Sequence, residues 1–84
     1  MSETTVELSN LAKSFKPGIY KHFKGSTYEA LFVARNSEHS HKEYVVYRSV
    51  DNGGVWVRPL AMFLEIIDRD GYHGPRFSWL RESN

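Results

Sequence analysis

The chain predicts a mainly β domain, a small SH3-like barrel of five to six short antiparallel strands with room for one short N-terminal helix. Three observations carry that expectation. Short segments rich in β-branched and aromatic residues recur between turn signals from Ile19 to Leu80. A hairpin, a proline, one tight turn and another strand follow in that order through "YVVYRSVDNGGVWVRPLAMFLEIID", the layout in which SH3-like barrels finish. The chain has 84 residues and no cysteine, so packing must hold it together, and five Phe, five Tyr and two Trp supply large buried areas.

Residues 1–16 read as an N-terminal extension, either a short helix packed on the body or a tail. Val6, Leu8, Leu11, Ala12 and Phe15 fit a helical period loosely, and Pro17-Gly18 ends the segment. The domain proper is placed at 17–80, with 81–84 as a tail. "IYKHFKG" alternates, setting Ile19, Lys21 and Phe23 on one side and Tyr20, His22 and Lys24 on the other. Gly25-Ser26 is a turn. "TYEALFVARN" is apolar on both faces, as a central, bent strand should be, and "NSEHSHKE" is a polar loop. "YVVYRSV" and "VWVR" form a hairpin, "FLEIID" is a further strand, "RDGYHGP" is a loop and "RFSWL" is a last short strand.

The hairpin register follows from its turn. With Asn52-Gly53 as a two-residue type I′ turn, Val50 faces Val55, Ser49 faces Trp56, Arg48 faces Val57 and Tyr47 faces Arg58. One face then carries Tyr44, Val46, Arg48, Val50, Val55 and Val57, and its aliphatic content makes it the expected core face. The other carries Val45, Tyr47, Ser49, Trp56 and Arg58, a ledge of aromatics with one guanidinium. Pro59 stops the ladder where no further donor is required, and Met62 and Phe63 are expected to turn into the core.

Charge and composition exclude several classes. A formal net charge of +1 argues against gripping long nucleic acid through its phosphates. The N-terminus lacks the positive start and apolar run of a signal peptide, and no apolar run is long enough to span a membrane, so a cytoplasmic, non-membrane protein is expected. His39 and His41 lie in a polar loop with no third ligand placed, so no metal is expected, and no cofactor either. No nucleophile elbow, Walker loop or dinucleotide fingerprint is present, and enzymatic activity is not the favoured reading.

The polar and aromatic residues favour binding instead. Tyr20, His22 and Lys24, with Tyr28 in the next strand, make one wall of a pocket. Lys24, Arg35 and Arg58 supply positive charge, and Tyr47 and Trp56 supply stacking. The expected ligand is a small anionic or planar molecule, nucleotide-like or an exposed nucleic-acid base. A peptide adaptor is the alternative, and a small enzyme using His22 with Glu38 or Glu43 stands behind both. The chain is expected to be a monomer or a homodimer.

The strings "PGIYKHFKGSTYEALFVARNSE", "EYVVYRSV", "WVRPLAMFLE" and "GPRF" resemble the bacterial domain-of-unknown-function 1653 family across roughly residues 17–77. The resemblance implies a small β-barrel in a bacterial, cytoplasmic setting, and no established activity. Its recurrent polar positions fall on His22, Lys24, Tyr28, Arg35, Ser37, Glu38, Tyr47, Arg58 and Arg76, which adds Ser37 and Arg76 to the candidate binding residues. Asn36 stands where the family usually has histidine, which argues against acid–base work at that position.

Overall fold

The computed structural model describes residues 7–83. The order of elements is α1 (Asn10–Lys13), β1 (Gly18–His22), β2 (Thr27–Arg35), β3 (Glu43–Ser49), β4 (Val55–Pro59), α2 (Leu60–Phe63), β5 (Ile66–Arg69), β6 (Tyr72–Pro75) and β7 (Phe77–Arg81). Strands β1 to β4 form an antiparallel meander, and β7 returns to pair with β1, giving the sheet order β4-β3-β2-β1-β7. Strands β5 and β6 form a separate two-stranded sheet. The described residues are thus mainly β, as the turn-punctuated sequence predicts, with seven strands in two antiparallel sheets where five or six were expected.

The additional strand, β6, comes from "RDGYHGP", which the sequence pattern presents as a loop. Asp70 and Gly71 both adopt positive φ, 53° and 78°, between the paired residues Arg69 and Tyr72. That is the type I′ geometry an Asp-Gly pair favours, so the loop is itself a hairpin.

In α1, the Ser9 hydroxyl accepts from the Ala12 amide at 3.0 Å and caps the helix. Ala12 is buried in the same core as the strands, and Leu8 and Phe15 pack beside it. Val6, also assigned to this segment from its periodicity, lies outside the described residues.

The core lies on one face of the five-stranded sheet. Tyr20, Ala30, Val45 and Tyr47 project from the sheet, Leu60 and Phe63 close down from α2, and Phe77 comes from β7. Phe63 is fully buried and stacks on Phe77, with ring centroids 4.1 Å apart and planes 6° from parallel. Tyr20 and Tyr47 meet the Phe63 ring edge-on at 5.1 and 5.4 Å. Such arrangements add roughly 0.5–1.5 kcal/mol per pair beyond the area they bury.

Three expectations are corrected by this packing. The β3–β4 register is Arg48↔Val55, Tyr47↔Trp56, Val46↔Val57, Val45↔Arg58 and Tyr44↔Pro59, displaced by two residues from the one predicted. The cause is the turn. The Ser49 hydroxyl accepts from the amides of Asp51 and Asn52, and the Gly53 amide donates to the Ser49 carbonyl at 2.9 Å. Gly53 alone takes positive φ, 76°, whereas a type I′ turn needs it at Asn52 as well. A displacement of two keeps every side chain on its face, because strand side chains alternate with period two.

The core face, however, is the opposite one. Val45, Tyr47 and Ser49 are buried, while Val50, Val55 and Val57 are exposed, Val57 to 64%. Likewise Phe63 enters the core but its neighbour Met62 does not, remaining 42% exposed on the outer side of the single turn of α2.

Candidate functional site

The buried face of the sheet does not end in a sealed core. At the border where β1, β2 and β7 approach β4, the aromatic packing runs out into half-buried polar side chains. His22 ends β1, and the antiparallel register sets it opposite Phe77. Its ring meets Phe77 edge-on at 4.9 Å and faces Tyr28 at 6.4 Å. Tyr28 in turn contacts Tyr47 at 5.3 Å and Phe77 at 5.8 Å. These four rings form a continuous aromatic floor.

Arg58 crosses that floor from β4. Its Nε donates to the Tyr47 hydroxyl at 3.3 Å, and its guanidinium carbon lies 5.7 Å from the Phe77 ring centre. The contact expected between Arg58 and Tyr47 is therefore made, although through diagonal neighbours: Trp56, not Arg58, stands directly opposite Tyr47. Among the described residues, Arg58 forms no ion pair with a carboxylate.

Arg76 completes the basic set. It sits just before β7, its amide donating to the Glu65 carbonyl at 2.9 Å and its carbonyl accepting from Phe23 at 3.0 Å. One guanidinium nitrogen binds Glu65 Oε1 at 2.9 Å. Its Nε is buried and has no hydrogen-bond partner among the described residues. A buried donor left unpaired costs about 1–3 kcal/mol.

The charges converge on His22. Burial is the main reason its pKa lies below the usual imidazole value, followed by the positive charges of Arg58, Arg76, Lys24 and Arg69. Its Nδ1 accepts the Lys24 amide at 3.1 Å, which leaves the proton of the neutral ring on Nε2 as a free donor. Beyond it, Phe23 stacks on Tyr72 at 5.4 Å with Lys24 and Arg69 near its faces, forming an outer cationic rim.

Of the residues singled out from sequence, His22, Lys24, Tyr28, Tyr47, Arg58 and Arg76 come together here. Trp56 lies on the same sheet face at the exposed edge, its side chain 57% accessible. Arg35 and Ser37 do not join them. Arg35 is seven residues from Tyr28 along β2, about 23 Å at the usual strand rise, where its charge acts on Glu43. Ser37 lies in the exposed loop beyond. Asn36 organises that loop: its side-chain oxygen accepts from the amides of Glu38 and His39, a structural duty that an amide performs well.

Phe77, which the sequence places only in a last short strand, is the centre of the floor. Phe23 and Arg69 were also missed. Two adjacent β-segments each pairing an aromatic with a cation, "FK" and "RF", were the available signal.

The arrangement sets cationic and N–H donor side chains against aromatic rings. Among the described residues no carboxylate pairs with His22, and Glu43 is occupied by the Ser9 amide and hydroxyl at 2.8 and 2.6 Å. His39 and His41 have ring centroids 6.3 Å apart, and no group of three His, Cys, Asp or Glu side chains converges among the described residues. Two cavities lie elsewhere. One of about 360 Å³ is lined by Glu29, Arg48, Arg81 and Glu82, but Glu29 and Arg48 already satisfy each other. Another of about 460 Å³ is lined by Leu11, His41, Lys42, Glu43, Tyr44, Pro59, Leu60 and Ala61, where Glu43 is already bound to Ser9. No helix among the described residues is long and apolar enough to cross a membrane.

Comparison with known proteins places these features in context. The model of a family described as a protein of unknown function (DUF1653) matches residues 18–79. The crystal structure of a protein belonging to DUF1653 from Bordetella bronchiseptica is similar at 30% identity and a TM-score of 0.75, over 87% of this chain and 96% of that one. No curated protein matches the chain.

Proposed function

The chain belongs to the DUF1653 family, and we propose that it is a non-catalytic binding module for a small anionic ligand that carries a planar group, such as a nucleotide or an exposed nucleic-acid base. One observation supports this above the others. Arg58 is half-buried on a floor of Tyr47 and Phe77 and has no carboxylate partner among the described residues. Holding a guanidinium out of water without an opposite charge is unfavourable, and an anion would offset that cost.

The roles divide by geometry. The remaining N–H groups of Arg58 and the His22 Nε2–H are donors to the anion. The Tyr28 ring and the exposed Trp56 offer faces for a planar group. Lys24 and Arg69 draw anions toward the rim. A cytoplasmic setting fits such a ligand. The peptide-adaptor reading draws support from a different place, the exposed Trp56 and Val57 of β4.

A thermal-shift screen with nucleotides, nucleosides and small metabolite anions tests the reading. A ligand at 100 times its Kd adds about 2.7 kcal/mol of stability. In a domain of this size each 1 kcal/mol moves Tm by about 4–8 °C. The best ligand is then titrated calorimetrically into the wild type and Arg58→Ala. The expected result is a loss of about tenfold to hundredfold in affinity, since a hydrogen bond to a charged group is worth about 1.5–3 kcal/mol. A folded Arg58→Ala protein that binds as tightly as wild type refutes the assignment.

A further inference from the structure

Two side chains of β4 stay open after the packing is complete. Trp56 is 57% exposed. Arg58 is half-buried and, among the described residues, hydrogen-bonded only through its Nε, to the Tyr47 hydroxyl. Their strand partners, Tyr47 and Val45, are both buried, so the two side chains project from the core face of the sheet, beside the aromatic floor.

The indole is bare for a reason in its own strand. The neighbour two residues back on the same face is Gly54, which has no side chain to cover it. A Cβ at Gly54 would stand 3.3 Å from the indole Nε1 and 3.7 Å from Cε2, so the indole leans over the Gly54 main chain and turns its remaining surface to solvent. Tyr28, by contrast, has its ring engaged by His22, Tyr47 and Phe77.

Residues two apart on a strand are separated by about 7 Å. The indole leans away from Arg58, and the guanidinium reaches the other way, over Phe77. A ligand using both must hold its planar and anionic ends apart by a spacer at least that long. An inorganic anion, a free base and an acid borne directly on a ring all lack one. A nucleoside 5′-phosphate has it, because the ribose separates base from phosphate. On the anionic side, His22 and Arg58 meet over the same Phe77 ring, at 4.9 and 5.7 Å. Past the indole, residues 50–57 hold no lysine or arginine, and Asp51 is negative, so that stretch gives a following phosphate no cation.

Resting on the anion-binding reading of this border, we propose that its ligand is a free nucleoside 5′-phosphate. The phosphate accepts from Arg58 and from the His22 Nε2–H, the ribose bridges the gap along β4, and the base stacks on Trp56.

NMR titrations of the isotope-labelled whole chain with inorganic phosphate, AMP and a 5′-phosphorylated tetranucleotide test this. AMP should bind about 5- to 150-fold more tightly than phosphate, the gain from one stacked base, and should shift the Trp56 indole N–H signal. Trp56→Ala should lower the ratio of AMP to phosphate affinity by a similar factor, and Trp56→Phe, which keeps a ring, should restore part of it. The tetranucleotide should bind no more tightly than AMP. Three results overturn the inference: AMP binding no tighter than phosphate, Trp56→Ala binding AMP as well as wild type, or a tetranucleotide bound far more tightly than AMP. Each of these, with phosphate still bound, leaves the anion reading in place. A chain that binds neither phosphate nor AMP removes both.

Discussion

Arg58 and Tyr47 are joined by a hydrogen bond from guanidinium to phenol at 3.3 Å, and this bond aims an otherwise uncompensated cation across the Phe77 ring. Tyr47 is only 5% exposed, so the phenol oxygen is a fixed acceptor held by the core. The relationship links the most rigid part of the protein to the part proposed to bind ligand.

Replacing Tyr47 with Phe keeps the ring packing and removes that acceptor. Stability should fall by about 0.5–1.5 kcal/mol, the net worth of one buried hydrogen bond, as measured by urea denaturation. Anion affinity should fall several-fold, less than in Arg58→Ala, because the cation remains but is less well aimed. A Tyr47→Phe protein with wild-type affinity would show that the phenol does not position Arg58.

Phe63 is the keystone of the aromatic core. It touches Phe15, Tyr20, Tyr47 and Phe77 and is fully buried. Phe63→Ala should cost about 3–5 kcal/mol. With so small a core, that is a large share of the total, and the variant should be substantially unfolded by circular dichroism at 37 °C.

The β3–β4 turn depends on a left-handed residue at Gly53 and on the Ser49 hydroxyl. Gly53→Ala should destabilise by about 1–2 kcal/mol, since an L-residue resists positive φ. The Cβ itself meets nothing within 4 Å, so the loss is conformational rather than steric contact. Gly53→Asn should recover part of it, which equilibrium denaturation of the two variants would resolve.

Glu43 binds Ser9 through both carboxylate oxygens, tying the cap of α1 to β3. The Ser9 side-chain bond first, and its amide second, hold the carboxyl below its ordinary range. A group whose pKa is lowered on folding contributes stability above its unfolded value, and that contribution disappears as pH falls through the lowered value. The pair should therefore weaken below about pH 4.5. Glu43→Gln should make the acid loss of stability shallower, seen in urea midpoints measured from pH 7 to pH 3.

His22 behaves in the same direction at higher pH. Its lowered pKa keeps it neutral at pH 7 and takes stability from the fold as pH drops below about 6.5. A bound anion would reverse part of that shift, so ligand should raise the His22 pKa in a proton NMR titration. A free protein whose His22 titrates at or above 6.5 would contradict the electrostatic picture.

Much of this was legible in the chain. "DNGG" announced a hairpin, "RP" announced the end of its ladder, and the period-two pattern sorted β3 and β4 into their two faces correctly, even though the register slid by two. What misled was the valine count. Val50, Val55 and Val57 suggested a core face, yet β4 is an edge strand and those residues have no layer above them. Composition along a ribbon does not show on which side a distant segment will pack. Asp70-Gly71 carried a hairpin signal as strong as Asn52-Gly53, and it was the short flanking segments that concealed it.

The sequence by itself determined the class: antiparallel strands of limited length, turns at defined points, an aromatic core and a net charge of +1. Only the tertiary structure decided that Phe63 and Phe77, fourteen positions apart, stack over Tyr47 and so choose its face as the interior. The same choice brought His22, Arg58 and Arg76 to one border and left Arg35 and Ser37 at the far end of β2. Local chemistry sets which side chains share a face. Which face is covered depends on contacts between residues far apart in the chain, and these exist only once the sheet has closed over them.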